Sequence, residues 1–392
     1  VNILLFHQHF NTPENGGAIR SYYLATALAK KGHRVTVITS CACPQGSTTV
    51  IEGVQIIYLA IPYNNRFTFS ARVWSFLRFT LASARTGARF RHYDVCYAIS
   101  VPLTVGLCAR WMKWRYKMPY WFEVGDLWPD APIELGYLRN RLVIRFLFAL
   151  ERSIYRNALG VVALSEPIRQ AIKAKIPGCR VEVIPNMADT DFYTPTTRGS
   201  EGEKVYQTGG KFVVSYMGAL GVANGLDYLV QCASAAQDAE LPVKFIVCGD
   251  GAMLESLRES SRQMSLLNIQ FTGLLNREKV REVMAVTDAV LVSYLPAPIL
   301  ETGCPNKYFD GLAAGKLIVV NFGGWIRNEV EEERCGFYGS PIDPSDFVQN
   351  LRPYLEDPLS LKQAQQRARK LAEERYARAE ISKRFAALFA SS

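Results

Sequence analysis

A chain of 392 residues with 49% hydrophobic side chains is too long for one comfortable core and too apolar for disorder, so it predicts two domains. No window holds the 18 or more apolar residues in a row that a spanning helix needs. The opening VNILLFHQHF lacks the basic region and small-residue cleavage site of a secretory signal, which predicts a cytoplasmic protein. The net charge of +9 is lopsided: residues 1–189 carry 23 Lys and Arg against 11 Asp and Glu, the remainder 22 against 25. Nine cysteines, an odd number without a CxxC pair, sit mostly in apolar runs and read as buried free thiols. His7 and His9 share one face of a strand, but no Cys/His/Asp cluster stands near them, so polar residues at a strand end are favoured over a metal pair.

In chain order, a strand (Asn2 to Phe6), a helix (Ala18 to Lys31) ended by Gly32 and the β-branched run RVTVITS make a βαβ unit, which implies a parallel sheet. VQIIYLA, DVCYAIS, YWFEV, GVVALS and VEVIPN follow as strands, with a helix over Val143 to Arg156. Thr190 to Gly210, rich in Thr, Gly, Ser and charge, reads as a linker. The pattern then restarts: KFVVSYMG, a helix from Leu226 to Gln237, VKFIVCGDG, IQFTG, AVLVSY, a helix around Asn306 to Ala314, and LIVV. The expected fold is α/β, two doubly wound domains with ligand in the cleft between their strand ends. The divisions are 1–190, 208–370 and a helical tail, 371–392, that packs back on the first domain.

Three segments carry chemistry. Gly16 and Gly17 open a helix, where free amides suit a phosphate or sugar; a plain turn is an equal reading. Gly249-Asp250-Gly251 repeats the strand, glycine, helix pattern but is not GxGxxG. In ILETGCPNKYFDGLAAGK, Pro305 is expected at the first position of a helix and Gly315 at its left-handed stop. The amides around Cys304 to Lys307, with the Lys307 charge, suit an anion. Asp310 shares a face with Asn306 and suits a ribose diol; Lys316 complements the helix C-terminus.

With NTPENGGAIRSYYLATALAKKGH, EVGDLWPDAPIELG, LERSIYRNALGVVALSEPIRQAI, VEVIPNMADTDFY, VSYMGALGVANGLDYLV, VCGDG and CPNKYFDGLAAGK in this order, the chain resembles a retaining glycosyltransferase of family 4. That family has the GT-B architecture, two Rossmann-like domains facing across a cleft. The likeness is to the branch that builds bacterial O-antigen, capsule and exopolysaccharide, and it covers essentially the whole chain. It implies a nucleotide-sugar donor, UDP-linked by preference, and a polyprenyl-diphosphate-linked saccharide acceptor at the cytoplasmic face of a membrane. No metal or other cofactor is implied. The glycines Gly16 and Gly17 then approach the donor phosphates or the acceptor, and Gly249, Asp250 and Gly251 line the donor side. Pro305, Asn306 and Lys307 run along the nucleotide sugar, Asp310 takes the ribose, and Phe271 to Leu275, with Gly273, lies near the base.

Three departures follow from the same comparison. The first of the family's paired glutamates falls on Thr302, with Glu301 one residue away as substitute. The arginine and lysine after the second domain's first strand are Ala219 and Asn224, in a loop that begins at Gly218, so Lys307, Arg20 or Arg277 must supply the cation. Gly125 stands for the histidine before Asp126. Asp126 is the acid assigned to the acceptor side, with a turn cap before Trp128-Pro129 as the equal alternative; Glu123 and Asp130 read as structural.

Arg66, Arg72, Arg78, Arg85, Arg89 and Arg91 alternate with Phe, Trp and Leu as in a basic amphipathic helix on anionic lipid; an ordinary helix with a solvated basic face is the plainer reading. Nucleic-acid binding finds no recognised module. The alternatives to sugar transfer onto a lipid-linked saccharide are transfer to a soluble acceptor, a GT-B nucleotide-sugar 2-epimerase and a basic adaptor without enzymatic activity.

Overall fold

The computed structural model describes residues 1–14, 16–64, 67–196 and 199–390. The first sheet is formed by β1 (Asn2–Phe6), β2 (Arg34–Cys41), β3 (Ser47–Ile51), β4 (Val54–Ala60), β5 (Val95–Ile99), β6 (Tyr120–Val124), β7 (Gly160–Ala163) and β8 (Val181–Val183). Their order is β3-β4-β2-β1-β5-β6-β7-β8, parallel except for the hairpin of β3 on β4. The second sheet holds β9 (Phe212–Met217), β10 (Val243–Cys248), β11 (Ile269–Gly273), β12 (Ala289–Val292), β13 (Leu317–Val320) and β14 (Gly336–Tyr338), all parallel, in the order β11-β10-β9-β12-β13-β14. Helices cover both faces of each sheet, so strands such as VCYAI, YWFEV and VKFIVC are buried at every position. This is the α/β architecture of two doubly wound units expected from the alternation of strand and helix.

Three details differ from the expectation. β3 was not anticipated: STTVI is an edge strand with a mostly exposed pattern, so it lacks the apolar alternation that marks a half-buried strand. The stretch from Thr190 to Gly210 is not all linker, because Ser200–Val205 is helical and packs on the helix Arg277–Val286. Pro305 stands one position ahead of its predicted place, as the N-cap of the helix Asn306–Ala313. Gly315 ends that helix with φ +60°, its amide bonding to Leu312 O at 3.0 Å and the Lys316 amide to Gly311 O at 3.0 Å, a Schellman stop. Lys316 itself is buried beyond that stop.

The chain crosses between the two sheets twice. After the second sheet, the helix Pro358–Leu371 leads through a π turn, Ala372–Tyr376, into the helix Arg378–Ala387. That last helix packs on the helix Arg20–Lys30, and Ile381, Phe385 and Phe389 join the core built from Ile3, Leu5, Tyr97 and Trp121. Burying such side chains contributes about 1.5–3 kcal/mol each. The two crossings are bonded to each other as a short parallel bridge, Ala188 N to Tyr376 O at 2.8 Å and Arg378 N to Ala188 O at 3.1 Å.

Candidate active site

In a doubly wound sheet, ligands sit where the strand order reverses, beyond the carboxyl ends of the strands. In the second sheet that point lies between β9 and β12. The loops leaving these strands interlock there: Ser293 Oγ donates to Asn224 O at 2.7 Å and Leu295 N to Ala223 O at 3.0 Å. Lys307, in the first turn of the helix Asn306–Ala313, enters the same place. Its Nζ donates to Asn224 Oδ1 at 3.1 Å and stands 4.6 Å from the Tyr216 ring centre and 5.3 Å from that of Tyr294. Asn224 is itself oriented, because its Nδ2 donates to Ala219 O at 3.0 Å. The positions where the cations were missing, 219 and 224, are therefore the ones that hold the Lys307 ammonium from the other side. Burial lowers the Lys307 pKa from 10.5 to about 7. Gly218 adjoins this lysine: a Cβ there would stand 3.4 Å from Lys307 Cε.

Gly249 and Gly251 are needed for a reason other than ligand approach. A Cβ on Gly249 would lie 1.8 Å from Gly218 O, and one on Gly251 2.5 Å from Leu220 O, so the two loops pack backbone to backbone. Asp250 Oδ1 accepts from the Gly251 amide at 2.8 Å, which holds this turn. Beside it, Gly249 N donates to Gly273 O at 2.9 Å, and Leu275 packs on the small cluster of Cys248, Val283 and Val286.

Asp310 is half-buried, and burial raises its pKa to about 7; Arg277 opposes that rise and Asp189 adds to it. Among the described residues none hydrogen-bonds its carboxylate. Asp189 lies beyond β8, next to the bridge at Ala188, and is 4% exposed. Its carboxylate takes an ion pair from Arg277, one from Arg378 at 2.9 Å and a hydrogen bond from Tyr23 OH at 2.7 Å. The Arg277 guanidinium carbon lies over Phe192, 3.6 Å from the ring centre. One carboxylate thus joins a first-domain helix, a second-domain helix and the returning tail. Arg277 is engaged here rather than beside Lys307.

Arg20 is corrected as well. It is 8% exposed and forms a two-pronged pair with Glu123, Nε to Oε1 at 3.2 Å and Nη2 to Oε2 at 3.1 Å, while Nη2 also reaches Ile184 O at 2.9 Å. Tyr97 OH adds a short bond to Glu123. Every direction of this guanidinium is spent inside the first domain, which makes Glu123 structural and removes Arg20 from the phosphate candidates. Asp130 likewise pairs with Lys175 at 2.5 Å. Gly16 and Gly17 have φ +69° and +77°; the first lies across the cleft from the start of the helix Arg277–Val286.

Asp126 follows β6 and opens onto the cleft opposite Tyr294 and Cys304, whose titration it perturbs. Its side chain is exposed to solvent there, and the protein walls around it raise its pKa by partial desolvation. Among the described residues it caps no turn. Glu301 lies in the turn Leu300–Thr302 with its carboxylate against Gly323, where a Cβ would stand 2.8 Å from Oε1. Thr302 Oγ1 turns back to Ile299 O at 2.7 Å, so it does not act for the missing glutamate. The domains touch around this turn: Ser165 Oγ donates to Thr302 O at 2.6 Å and Ile299 N to Glu134 Oε1 at 3.0 Å.

His7 and His9 lie beyond β1. His7 Nδ1 is 2.9 Å from Ser21 Oγ and His9 packs on Tyr63; burial lowers their pKa values to about 3 and about 4, so both are neutral imidazoles. Of the basic residues assigned to lipid, Arg66 lies outside the described residues. Arg78 and Arg85 are exposed on the helix Phe69–Gly87, and Arg72 turns to Phe67 O at 3.1 Å. Arg89 and Arg91 are exposed past the helix end. Sequence reasoning missed Tyr216, Tyr294 and Asp189; an aromatic pair from two strand ends and a buried acid between domains leave no local pattern.

The family model described as a glycosyl transferase 4-like domain matches residues 15–187, and the one described as glycosyl transferases group 1 matches residues 211–357. The chain is 21% identical over 213 residues to an alpha-D-kanosaminyltransferase of Streptomyces kanamyceticus, a match spanning 53% of this chain and 54% of that protein, about half of its length. It is 22% identical over 351 residues to an alpha-monoglucosyldiacylglycerol synthase of Streptococcus pneumoniae, covering 86% of this chain and 76% of the relative. Among solved structures, HepE of Anabaena in complex with UDP and glucose superposes over the whole of both chains with a TM-score of 0.71 at 18% identity.

Proposed function

Because the chain is a family 4 glycosyltransferase of GT-B architecture, we propose that it transfers a sugar, with retention, from a nucleotide sugar to a polyprenyl-diphosphate-linked saccharide in surface polysaccharide assembly. UDP is the preferred carrier, in keeping with the UDP held by the similar Anabaena protein. The observation that carries this reading is the Lys307 ammonium, held by Asn224 and two tyrosines at the strand-order reversal where a diphosphate binds. Lipid attachment of the acceptor is supported by the basic first domain and by the likeness to a synthase named for a glucosyl lipid.

In this reading Lys307 and the start of its helix neutralise the diphosphate, and Asp310 accepts hydrogen bonds from the ribose diol. The base lies along Phe271 to Leu275. The anomeric carbon–oxygen bond to the diphosphate breaks while the acceptor oxygen bonds to the same face of that carbon. The acceptor proton passes to the departing diphosphate oxygen, and charge stabilisation and orientation are the protein's part. Asp126 orients the acceptor hydroxyl. Asp126→Asn is expected to leave donor affinity unchanged and to slow transfer by roughly 10²-fold or more; an undiminished rate in a single-turnover assay would make this residue part of the loop only.

The decisive experiment exposes the protein to UDP-, GDP- and dTDP-sugars, with and without chelator, and follows thermal shift and nucleotide release. A shift with one donor class, unchanged by chelator, with release only when a lipid-linked saccharide is added, is the expected result. No shift with any donor refutes the reading, conversion of the donor without acceptor replaces it with an epimerase, and a strict metal requirement contradicts the lysine-based phosphate site.

A further inference from the structure

Three first-domain helices, Phe69–Gly87, Val105–Tyr116 and Arg141–Asn157, bury their inner sides on the same face of the eight-stranded sheet. Phe79, Met112 and Ile154, one from each, share a core cluster with Phe6, Ala98 and Phe122. Their outer sides therefore form one surface. On it Trp74, Leu81, Trp114, Leu142 and Phe146 are 63%, 62%, 70%, 77% and 65% exposed. Solvated helices seldom carry so many large apolar side chains on a shared face without a partner.

Charge says what that partner is. The three helices hold ten Lys and Arg residues and one acid, Glu151, which is buried and paired with Lys175 at 2.8 Å. At the lower end of the surface, Arg110, Lys113 and Lys117 surround an open cavity of about 540 Å³ walled by Trp111 and Trp114. An uninterrupted positive surface studded with aromatic and aliphatic side chains matches the two layers of an anionic bilayer, phosphate outside and hydrocarbon beneath. A nucleic acid would meet the charge but leave the apolar side chains in water.

The most exposed part is the start of the third helix. Asn140 caps it rigidly, its Oδ1 accepting from Leu142 N at 3.0 Å and Val143 N at 3.2 Å. Arg141, Leu142, Val143, Arg145 and Phe146 are all exposed, and the first buried residue is Leu150. A capped helix whose first two turns bury no residue fully, with only Ile144, Leu147 and Phe148 half-covered on the inner side, has the form of an element built to enter another phase.

We infer that the outer faces of these three helices form a single docking surface for an anionic bilayer, with the first two turns of the helix Arg141–Asn157 inserted into the interface. The inference rests on the membrane-held acceptor proposed above, but moves the main contact away from residues 66–91.

The test is co-sedimentation of the full chain with phosphatidylglycerol–phosphatidylcholine vesicles and with phosphatidylcholine alone, for the wild type, L142E/F146E and W74E/L81E. The substituted side chains are exposed, so melting temperatures should stay unchanged. Expected are binding to the anionic vesicles that weakens with salt, a loss of at least tenfold in L142E/F146E, and slowed amide exchange over residues 141–149 on the vesicles. Wild-type binding by L142E/F146E alongside loss in W74E/L81E overturns the inference and leaves the membrane reading standing. Absence of vesicle binding by the wild type overturns both, as does equal binding to neutral vesicles; displacement of the vesicles by an oligonucleotide assigns the surface to nucleic acid.

Discussion

Replacing Lys307 with alanine should weaken nucleotide-sugar binding by about 1.5–3 kcal/mol, the usual contribution of a hydrogen bond to a charged group, or roughly 10- to 150-fold in Kd. With Ala219 and Asn224 in the neighbouring loop, and with Arg20 and Arg277 committed to Glu123 and Asp189, neither of the other two cations the sequence offered is placed to compensate. The pH dependence gives a second readout. Lys307, with its pKa lowered to about 7, is charged below that value, and Asp310, raised to about 7, is ionised above it. Donor affinity should therefore peak near pH 7, falling on the alkaline side as Lys307 loses its proton and on the acid side as Asp310 gains one. Lys307→Ala should erase the alkaline limb and keep the acid one. Unchanged affinity by calorimetry, with the alkaline limb intact, would show that the diphosphate charge is met elsewhere.

Asp189→Ala should be the most destabilising single change outside the apolar core. Asp189 is 4% exposed, and removing its carboxylate leaves Arg277 and Arg378 without their shared counter-charge and Tyr23 without its acceptor. Breaking a buried pair by deleting one partner costs about 3–5 kcal/mol. Because the lost contacts link both domains and the tail, the expected signature in a thermal or urea unfolding curve is two separated steps where the wild type shows one. A single transition at the wild-type midpoint would mean that the two arginines find other partners and that Asp189 does not couple the domains.

These expectations show which information lies along the chain and which does not. The two parallel sheets were legible because each buried strand is a continuous apolar run followed by a helix with its own stop signal, as in FIVCGDG or YFDGLAAGK. β3 escaped because STTVI buries almost nothing. The departures at 219 and 224 were visible as residue types, but that Asn224 accepts from Lys307, 83 positions away, depends on the folded chain. Arg20 was misread for the same reason. At the head of a helix beside two glycines it has the local form of an anion ligand, and only Glu123, 103 positions later, reveals its use. Gly249 and Gly251 carry the opposite lesson: their want of a side chain is explained by the Gly218–Leu220 backbone pressed against them.

The tail that returns to the first sheet has a consequence for biosynthesis. Ile381, Phe385 and Phe389 complete a core whose other members, Ile3, Leu5, Tyr97 and Trp121 among them, leave the ribosome before the second sheet does. Until residues 378–389 emerge, that side of the nascent first domain stays open, with apolar side chains exposed through the synthesis of the whole second sheet. Vectorial folding, in which an early domain closes before the next is made, is thus barred on this face. The first domain acquires its finished surface only after the second sheet has been translated, so a break in synthesis between that sheet and Arg378 damages a part made well before the break.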